Sequence, residues 1–405
     1  MSILPDIRDV EVAGRTVLVR ADLNVPLRNG AVVDATRIVR FAPTLRDLLA
    51  RGASIVVMTH LGRPGGEANS VYSVRPIADT LSREIGRDVV FVPDCVGAVA
   101  ERAADCLAEG KVLLLENLRF HRGEEENCRS FALMLSVNGD IYVNDAFSCS
   151  HRAHASVHAI TEVMPAFAGP SLLAEMAMLA AALEDPKRPV AALVGGAKIS
   201  SKIEILRNLA ARVDHLIVGG GMANTFLAAR GNSVGRSLVE ADCVPIALDI
   251  MAVAGANGCR LLLPKDLVVA RRLAEDEPAV TVGIDVIPEI AMALDLGPET
   301  VACVEKVLCN CRTLVWNGPL GAFETRPFGE ATFAVARKAA ALTEAGRLVT
   351  IAGGGDTVAA LASAGVAERF SYLSTAGGAF LEWLEGRALP GIEALRANTR
   401  PLEDA

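Results

Sequence analysis

Groups of basic and polar side chains recur in the first half of the chain, and each group directly follows a short apolar run. Guanidinium groups bind phosphate and carboxylate oxygens through paired hydrogen bonds, and Asp and Asn side chains can bind a hydroxyl group. The groups are residues 20–26 with Arg37, then 60–64, 116–120 and 144–147, and the last of these leads to residues 151–154. A single arginine is most often an ordinary surface residue, but the shared position after each run favours one binding site. The pattern predicts a small ligand that carries two anionic groups and a hydroxyl group between them.

The second half of the chain has glycine-rich segments after its apolar runs instead of basic ones. They are Gly195-Gly196-Ala197-Lys198, Gly219-Gly220-Gly221, Asn317-Gly318-Pro319 and Gly353-Gly354-Gly355-Asp356-Thr357. Glycine lets the backbone approach a ligand closely, and amides at a helix N-terminus attract phosphate. One such segment marks a tight turn more often than a site, but four of them predict a nucleotide pocket. Neither the P-loop pattern nor the Rossmann glycine fingerprint occurs in this half.

Two lysines and one aspartate in or just after these segments suggest how phosphate would be held. Lys198 and Lys202 are four residues apart, so on one helix both would face the same phosphate chain. Asp356 lies in a glycine-rich turn and is a suitable ligand for Mg²⁺.

A second kind of site is weighed for three histidines. His151, His154 and His158 have the spacing of one helix face and could bind zinc. No acidic or cysteine partner is spaced to complete that site, and Arg152 would repel a cation. Cys149 near His151 resembles a thiol–imidazole pair but has no orienting residue. Both sites are therefore disfavoured.

Parallel sheets would bring the chemical groups together. Apolar runs predict strands at residues 16–22, 54–60, 89–92, 112–116, 141–144, 190–194, 215–218, 260–263, 313–316, 348–351 and 370–373. Helical patterns fall between them, at residues 34–50, 200–211, 243–254, 328–343 and 357–362. Continuous apolar strands that alternate with helices indicate an α/β fold with parallel sheets covered on both faces. Ligands of such sheets bind beyond the carboxyl ends of the strands, where these unusual residues lie.

Length and composition limit the class of protein. With 405 residues, the chain is long enough for two domains of about 200 residues each. The net charge of −8 argues against non-specific nucleic-acid binding. The first ten residues lack a signal-peptide core, no apolar run reaches membrane-spanning length, and the nine cysteines include no Cys-x-x-Cys pair. We expect a cytoplasmic monomer that has no nucleic-acid or membrane partner.

Helix breakers mark a domain boundary between residues 165 and 189. Gly169-Pro170 precedes a segment rich in Ala, Leu and Met, and Pro186 and Pro189 follow it. We predict a first domain of residues 1–170, an interdomain helix of residues 171–188 and a second domain of residues 189–388. The tail, residues 389–405, is either a frayed end or a segment that packs back onto the first domain.

These motifs together resemble the phosphoglycerate kinase family, in order from about residue 15 to residue 395. The most specific are Val19-Arg20-Ala21-Asp22-Leu23-Asn24-Val25-Pro26, His60-Leu61-Gly62-Arg63-Pro64, Glu116-Asn117-Leu118-Arg119-Phe120, Gly195-Gly196-Ala197-Lys198, Val315-Trp316-Asn317-Gly318-Pro319 and Gly353-Gly354-Gly355-Asp356-Thr357. The resemblance implies two Rossmann-like domains, each a doubly wound parallel sheet, that are joined by a helix. It also implies a C-terminal tail that returns to the first domain.

The resemblance assigns residues to two ligands. The contacts that it implies for 3-phosphoglycerate fall on Asp22, Asn24, Arg37, His60, Arg63, Arg119 and Arg152. Those for ADP or ATP fall on Lys198, Lys202, Gly219, Gly220, Asn317, Pro319, Glu324, Gly353, Gly354, Gly355, Asp356 and Thr357. Glu324 would bind the ribose and Asp356 would bind Mg²⁺, while the catalytic groups would be Arg37, Lys198 and the amide of Gly354.

The implied reaction is reversible transfer of a phosphoryl group from 1,3-bisphosphoglycerate to ADP, a step of glycolysis and gluconeogenesis. A carboxylate is already ionised at neutral pH, because its ordinary pKa is near 4, so no general base is needed. The two ligands would lie on different domains, and we therefore expect in-line transfer after the domains close by bending at a hinge. Closure would also exclude water from the acyl phosphate.

One departure from the family pattern and two rival functions remain open. Ala376 stands where the family usually has glycine; if that position needs positive φ, the cost is about 1 kcal/mol, and otherwise the change is nearly free. A non-catalytic two-lobed protein that binds an anion is the first rival. A two-domain dehydrogenase is the second, and the missing dinucleotide fingerprint disfavours it.

Overall fold

The structure is a computed structural model, and it describes residues 4–398. In its first half the described strands are β1 (Thr16–Arg20), β2 (Leu27–Arg28), β3 (Ala31–Val32), β4 (Ser54–Met58), β5 (Val89–Val92), β6 (Val112–Leu115), β7 (Ile141–Asn144) and β8 (Ala166–Ala168). Six of them form a parallel sheet in the order β5-β6-β4-β1-β7-β8. β2 and β3 form a short antiparallel hairpin. Every residue of β4 and β6 is buried, as expected when helices cover both faces of a sheet.

Six α-helices lie within residues 36–183, and the first of them buries a regular apolar stripe. They are α1 (Thr36–Ala50), α2 (Arg75–Ile85), α3 (Ala98–Asp105), α4 (Arg122–Glu125), α5 (Arg129–Ser136) and α6 (Pro170–Leu183). In α1, Ile38, Phe41, Leu45 and Leu48 recur every three or four residues and are buried, which is the pattern of one helix face. They share a core with the apolar residues of β1 and β4.

The second half contains another parallel sheet of six strands and a smaller antiparallel one. The described strands are β9 (Val190–Val194), β10 (His215–Val218), β11 (Arg260–Leu262), β12 (Asp266–Ala270), β13 (Val280–Gly283), β14 (Met292–Leu296), β15 (Thr313–Asn317), β16 (Val349–Gly353) and β17 (Tyr372–Ser374). The parallel order is β11-β10-β9-β15-β16-β17, and the antiparallel order is β13-β12-β14. The helices are α7 (Ile203–Ala210), α8 (Gly221–Ala229), α9 (Val244–Ala256), α10 (Pro298–Asn310), α11 (Glu330–Glu344), α12 (Gly355–Ser363) and α13 (Gly378–Leu384).

By compactness the chain divides into two units. Among the described residues, one unit contains those up to Met176 together with those from Ala388 onward, and the other contains Ala177–Arg387. The chain passes from the first unit to the second within α6.

The described part of the tail belongs to the first unit. It forms α14 (Pro390–Ala397). The amide of Gly391 donates to the carbonyl of Ser150 over 2.9 Å, and Asn398 Nδ2 donates to the carbonyls of Thr161 and Met164. The tail therefore returns to the first unit, whereas residues 399–405 lie outside the described part of the chain.

The predicted fold class is confirmed. All eleven predicted strands are present in the two parallel sheets, with ends that differ by no more than two residues. The sequence did not predict β8, β2–β3 or the antiparallel sheet, because their apolar runs are short or interrupted. None of the helices within residues 4–398 combines the length and the apolar character that a membrane span requires.

Candidate active site

The strand order of the first sheet brings four predicted groups to one edge. β6, β4, β1 and β7 are neighbours and run parallel. Their carboxyl ends therefore lie side by side, and the residues that follow them meet there. The side chains that follow β1, β4 and β6 include Asp22, His60 and Arg119.

Asp22 and Arg37 form an ion pair at this edge. Arg37 Nη1 lies 2.5 Å from Asp22 Oδ2, and the hydroxyl of Ser148 donates to the same oxygen. Asp22 Oδ1 accepts a hydrogen bond of 3.2 Å from the amide of Asn24. The side chain of Arg37 is 29% exposed, so it can still reach a ligand while Asp22 holds it.

Gly62 connects the loops after three strands. Its amide donates to Asn24 Oδ1 over 3.0 Å, and its carbonyl accepts from Arg119 Nη1 over 2.7 Å. Gly62 has φ of 61°, and a Cβ there would lie 2.4 Å from the ring of Tyr72. Only glycine satisfies both conditions, so this residue fixes where Asn24 and Arg119 lie.

Arg119 and His60 are largely buried. Arg119 is 6% exposed and so is His60. Burial lowers the pKa of Arg119, Glu125 opposes that shift, and the charge of Arg20 adds to it. Burial lowers the pKa of His60 well below its ordinary value, and the charges of Arg20 and Arg119 lower it further. His60 is therefore neutral at physiological pH.

Arg152 and Arg63 differ in their surroundings. Arg152 is half-buried, and its Nε donates to His151 Nε2 over 3.0 Å. Its charge also contributes to lowering the pKa of Arg119, so the guanidinium groups of Arg152 and Arg119 lie near each other. Arg63 is exposed and has no contact that fixes its side chain within the described residues.

In the second unit, Lys202 holds two strand ends together. Its Nζ donates to the carbonyls of Gly195 and Asn317, over 2.7 and 3.3 Å. These residues lie at the carboxyl ends of neighbouring strands, β9 and β15. Burial lowers the pKa of Lys202 to about 8, while the charge of Asp356 opposes that shift.

The glycine-rich segments pack directly against one another. A Cβ on Gly195 would lie 1.9 Å from the carbonyl oxygen of Pro319, and one on Gly219 would lie 2.4 Å from Leu320. Gly220 has φ of 69°, and its Cβ would lie 2.6 Å from the carbonyl oxygen of Gly196. Side chains would therefore separate the loops, and glycine keeps their backbones in contact.

Asn317 offers an unused polar atom at this edge. The residue is 3% exposed, and its Nδ2 donates to the carbonyl of Gly353 over 2.8 Å. Its Oδ1 is buried and has no hydrogen-bond partner within residues 4–398. Buried polar atoms are nearly always paired, so this one points to a ligand. Thr357 Oγ1 accepts from the amide of Gly318 over 2.7 Å and ties the same loop to α12.

The start of α12 has the features of an anion site with a metal ligand beside it. Gly354 precedes the helix with φ of 98°, and the amides of the first turn have no partners within the helix. Asp356 is in that first turn and is exposed. Mg²⁺ in kinases binds one or two carboxylates together with nucleotide phosphates, and a single exposed carboxylate here fits that donor set. Lys198 and Glu324 are also exposed.

Two helix faces that the sequence spacing suggested, one of lysines and one of the histidines whose metal site was disfavoured, do not form. Lys198 and Lys202 do not share a helix face, because the helix starts only at Ile203, beyond both lysines. His151, His154 and His158 share none either: residues 151–158 form turns and irregular backbone, and His154 lies 3.8 Å from Glu124.

Cys149 and Ala376 are explained by their surroundings. Cys149 is buried, and its Sγ lies 3.5 Å from Arg20 Nη2. Burial raises the pKa of its thiol, although Arg20 opposes that shift. Ala376 does not have positive φ, whereas Gly377 does. The alanine is therefore compatible with the backbone, and the change from glycine costs little.

The sequence assigned no ligand contact to Arg20, Ser148 or Glu124, although Arg20 belongs to the first of the basic groups. Arg20 is 1% exposed, Glu124 is fully buried, and Ser148 binds Asp22. The signal for Arg20 was its place at the end of an apolar strand, because a buried charge needs partners.

The chain is similar to phosphoglycerate kinases over nearly its whole length. The model of the phosphoglycerate kinase family matches residues 7–387. The phosphoglycerate kinase of Methylobacterium radiotolerans is 54% identical over 384 residues, which cover 95% of this chain and 96% of that protein. The one of Xanthobacter flavus is 54% identical over 387 residues, with coverage of 96% and 97%.

Solved structures of phosphoglycerate kinases are also similar to this chain. The structure of phosphoglycerate kinase from Coxiella burnetii matches with a TM-score of 0.92 and 38% identity, and covers 98% of this chain and 100% of that one. The structure from Pyrococcus horikoshii matches with a TM-score of 0.80 and 28% identity, with coverage of 97% and 98%. Matches of this length, at this identity and with two parallel sheets whose edges carry the family motifs, place the chain in the phosphoglycerate kinase family.

Proposed function

We propose that the chain catalyses reversible phosphoryl transfer from 1,3-bisphosphoglycerate to ADP, which gives 3-phosphoglycerate and ATP. Membership of the phosphoglycerate kinase family is the observation that carries the proposal. The arrangement of charges agrees with it. One sheet edge is rich in guanidinium groups, and the other has glycine-rich loops and a helix N-terminus.

The basic edge of the first unit would bind 3-phosphoglycerate. Arg63, Arg119 and Arg152 would bind the phosphate that does not react, since guanidinium groups pair with phosphate oxygens. Asp22 and Asn24 would bind the hydroxyl group, and His60 would donate a hydrogen bond. Arg37 would face the carboxylate that exchanges the phosphoryl group.

The glycine-rich edge of the second unit would bind ADP or ATP. The amides at the start of α12, with Gly353, Gly354, Gly355 and Thr357, would receive the phosphates. The unpaired Oδ1 of Asn317 is available as an acceptor, and exposed Lys198 and Glu324 would reach the phosphate chain and the ribose. Lys202 differs from the other residues of this set because its ammonium holds two backbone carbonyls. We assign Lys202 to shaping the pocket formed by Gly195, Gly219, Gly220 and Pro319.

Asp356 would hold Mg²⁺ together with the nucleotide. When bound, the metal ion supplies positive charge that offsets the charge of the phosphate oxygens. The contribution of the chain is to orient the carboxylate of Asp356 in the first turn of α12, next to the amides that bind phosphate.

The chemistry requires charge compensation and not proton removal. The attacking carboxylate of 3-phosphoglycerate is ionised at neutral pH. His60, which is buried and neutral, is therefore not required as a general base. The barrier comes from bringing two anions together while charge spreads over the phosphoryl oxygens. Arg37, Lys198 and the amide of Gly354 would stabilise that charge. Because these groups belong to two units, closure by bending at a hinge would complete the site and exclude water.

The test is a coupled assay that measures ADP formed from MgATP and 3-phosphoglycerate. We expect turnover that requires both substrates and Mg²⁺. The first control replaces 3-phosphoglycerate with glycerate, which lacks the phosphate for Arg63, Arg119 and Arg152 and should react poorly. Absence of turnover, or ATP hydrolysis that is equal without 3-phosphoglycerate, would contradict the proposal.

A further inference from the structure

Arg20 is a buried arginine whose guanidinium is directed at protein groups only. It is 1% exposed. Its Nε donates to Ser156 Oγ over 2.9 Å, and its Nη1 donates to the carbonyl of Ala21. Its Nη2 lies 3.1 Å from His60 Nδ1 and 3.5 Å from Cys149 Sγ. With this exposure Arg20 has almost no surface left for a ligand.

Glu124 and Ser156 fix the guanidinium from the opposite side. The hydroxyl of Ser156 donates to Glu124 Oε1 over 2.6 Å, and its amide donates to Oε2 over 2.9 Å. Glu124 and Ser156 are fully buried, and the hydroxyl of Tyr142 donates to the carbonyl of Ser156 over 2.7 Å. A chain of hydrogen bonds therefore runs from the carboxylate of Glu124 through Ser156 to Arg20 and ends at His60.

The direction of the last hydrogen bond follows from the chemistry of its partners. A guanidinium group is always protonated and has only donors, so it cannot accept from an imidazole. His60 Nδ1 must therefore accept, and in a neutral ring the proton is then on Nε2.

Protonation of both ring nitrogens is disfavoured by the charges that face His60. Burial is the first cause of its low pKa, and three positive side chains and a second histidine add to it. The charged or titratable groups near the ring are Arg20, Arg37, Arg119, His154, Asp22 and Cys149. Asp22 is already paired with Arg37, and burial and Arg119 lower the pKa of His154 to about 3, so neither favours an imidazolium.

We propose that Arg20 is a positioning residue that sets the tautomer of His60, so that Nε2–H is a permanent hydrogen-bond donor for an oxygen of the anionic substrate. The role of Nε2–H toward substrate rests on the proposed function, whereas the tautomer itself does not. Arg20 acts through His60 and does not touch the substrate.

The first measurement is the tautomer of His60 in the ligand-free chain. The full-length protein with ¹⁵N-labelled histidine is studied by long-range ¹H–¹⁵N NMR from pH 5.5 to 8, and His60 is assigned by comparison with His60→Gln. The proposal expects the Nε2–H pattern at every pH. An Nδ1–H pattern, or an imidazolium at pH 6, overturns it without any change to Arg20.

The second measurement assigns the effect to Arg20. Arg20→Met removes all the donors and keeps an apolar side chain of similar length. We expect His60 to become a mixture of the two tautomers, and an unchanged Nε2–H pattern would overturn the role of Arg20. Cys149→Ala is the matched control, because it removes the other partner of Nη2 and leaves the bond to His60. Its His60 spectrum should equal that of the unchanged chain.

Kinetics separate this role from a purely structural one. In Arg20→Met, the KM for 3-phosphoglycerate should rise about tenfold, the value of one hydrogen bond to a charged group, while kcat at saturation and the KM for MgATP change little. A tenfold fall in kcat with no change in the KM for 3-phosphoglycerate would contradict the role in binding. If no variant, including the unchanged chain, turns over 3-phosphoglycerate, the proposed function fails, but the NMR result still decides the tautomer.

Discussion

At the scale of single residues, the two groups of predicted ligands differ in how firmly they are held. Arg37 is paired with Asp22, and Asn24 and Arg119 are fixed through Gly62. Arg63 is exposed, as are Lys198 and Asp356. The paired residues are pre-organised before a ligand arrives, and the exposed ones lose side-chain entropy on binding.

Arg37 and Arg63 should affect different kinetic constants. Arg37→Ala removes charge that compensates the moving phosphoryl group, so we expect kcat to fall by about 10²–10³. Arg63→Ala removes a contact to a phosphate whose charge stays the same, so KM for 3-phosphoglycerate should rise more than kcat falls. Steady-state kinetics on both variants, at saturating 3-phosphoglycerate and MgATP, measure the difference. If Arg63→Ala loses kcat while Arg37→Ala keeps it, the two roles are reversed.

Asp356 should control the dependence on Mg²⁺. Asp356→Ala is expected to lower turnover with MgATP by about ten- to a hundredfold and to leave binding of 3-phosphoglycerate unchanged. Turnover is measured against Mg²⁺ concentration, and binding is measured by calorimetry. Glu330→Ala is the matched control, since Glu330 is also an exposed acid in the first turn of a helix. An unaltered Mg²⁺ dependence in Asp356→Ala would show that the nucleotide alone holds the ion.

At the scale of elements, the N-termini of several helices are capped by an aspartate side chain from a distant strand or loop. Asp145 Oδ1 accepts from the amides of Ser171 and Leu172 at the start of α6. Asp266 accepts from the amides of Glu299 and Thr300 at the start of α10. A carboxylate at this place satisfies amides that have no partner within the helix and also favours the helix dipole.

Each of these contacts requires a glycine beside the carboxylate. A Cβ on Gly169 would lie 2.3 Å from Asp145 Oδ1, and one on Gly297 would lie 2.3 Å from Asp266. Gly169 and Gly297 stand directly before the proline that opens their helix. The Gly-Pro pairs thus mark helices whose cap is supplied by a residue elsewhere in the chain.

Gly297→Ala should therefore destabilise the protein although its backbone conformation suits alanine. The φ of Gly297 is −80°, but the new methyl group would displace Asp266 from the helix, at a cost of about 1–3 kcal/mol. Gly255→Ala is the matched control, because Gly255 lies in α9 and a Cβ there meets nothing within 4 Å. That variant should gain about 0.5–1 kcal/mol. Urea unfolding measures both, and equal effects would contradict the account.

Asp295 should make stability depend on pH. Its Oδ2 accepts from the amide of Ala331 at the start of α11 over 3.0 Å, and burial raises its pKa to about 7. The folded chain then holds a proton that the unfolded chain releases near pH 4, so this group stabilises the fold below about pH 4 and the contribution is lost as pH rises to 7. The change over that window amounts to about 4 kcal/mol at most.

The test of this pH dependence is Asp295→Asn, which carries no titrating proton. Its free energy of unfolding, measured by urea at pH 5 and pH 7.5, should vary less than that of the unchanged chain. Asp249→Asn, an exposed aspartate, should keep the original pH dependence. A slope that is unaltered in Asp295→Asn would show that Asp295 is ionised throughout.

At the scale of the whole molecule, the first unit is completed by the C-terminal end of the chain. Leu389, Ile392 and Leu395 are buried, and a Cβ on Gly391 would lie 2.5 Å from Val157. The first unit thus contains a helix that is encoded after the whole of the second unit, and the two units are not simple consecutive segments.

Removal of the chain after Arg387 should destabilise the first unit. Three buried apolar side chains are lost, and each contributes about 1.5–3 kcal/mol. Calorimetry should show a lower transition temperature and loss of 3-phosphoglycerate binding, while the second unit still binds MgATP. Leu395→Ala should show a smaller effect in the same direction, and Leu248→Ala, at a half-exposed position, should show almost none. Equal loss of both ligands would mean that the tail supports the whole molecule.

The sequence alone predicted the fold class, the eleven strands that it named and the family. These follow from local patterns: apolar runs of strand length, helical spacing, and motifs that each occupy a few consecutive residues. The ligand roles of individual residues were also assigned from those motifs, and they remain predictions that the experiments above would test.

Only the tertiary structure decided which side chains meet. Asp22 binds Ser148, 126 residues away, and Arg20 binds Ser156, 136 residues away, because β1 and β7 are neighbours in the sheet although five strands separate them in the chain. The helix spacing of Lys198 and Lys202 misled because the helix begins after both lysines, and Lys202 instead donates to the carbonyl of Asn317 at the end of β15. Local pattern sets the elements, but pairing between strands that are distant in sequence sets the partners of a buried charge, and no local signal encodes that pairing.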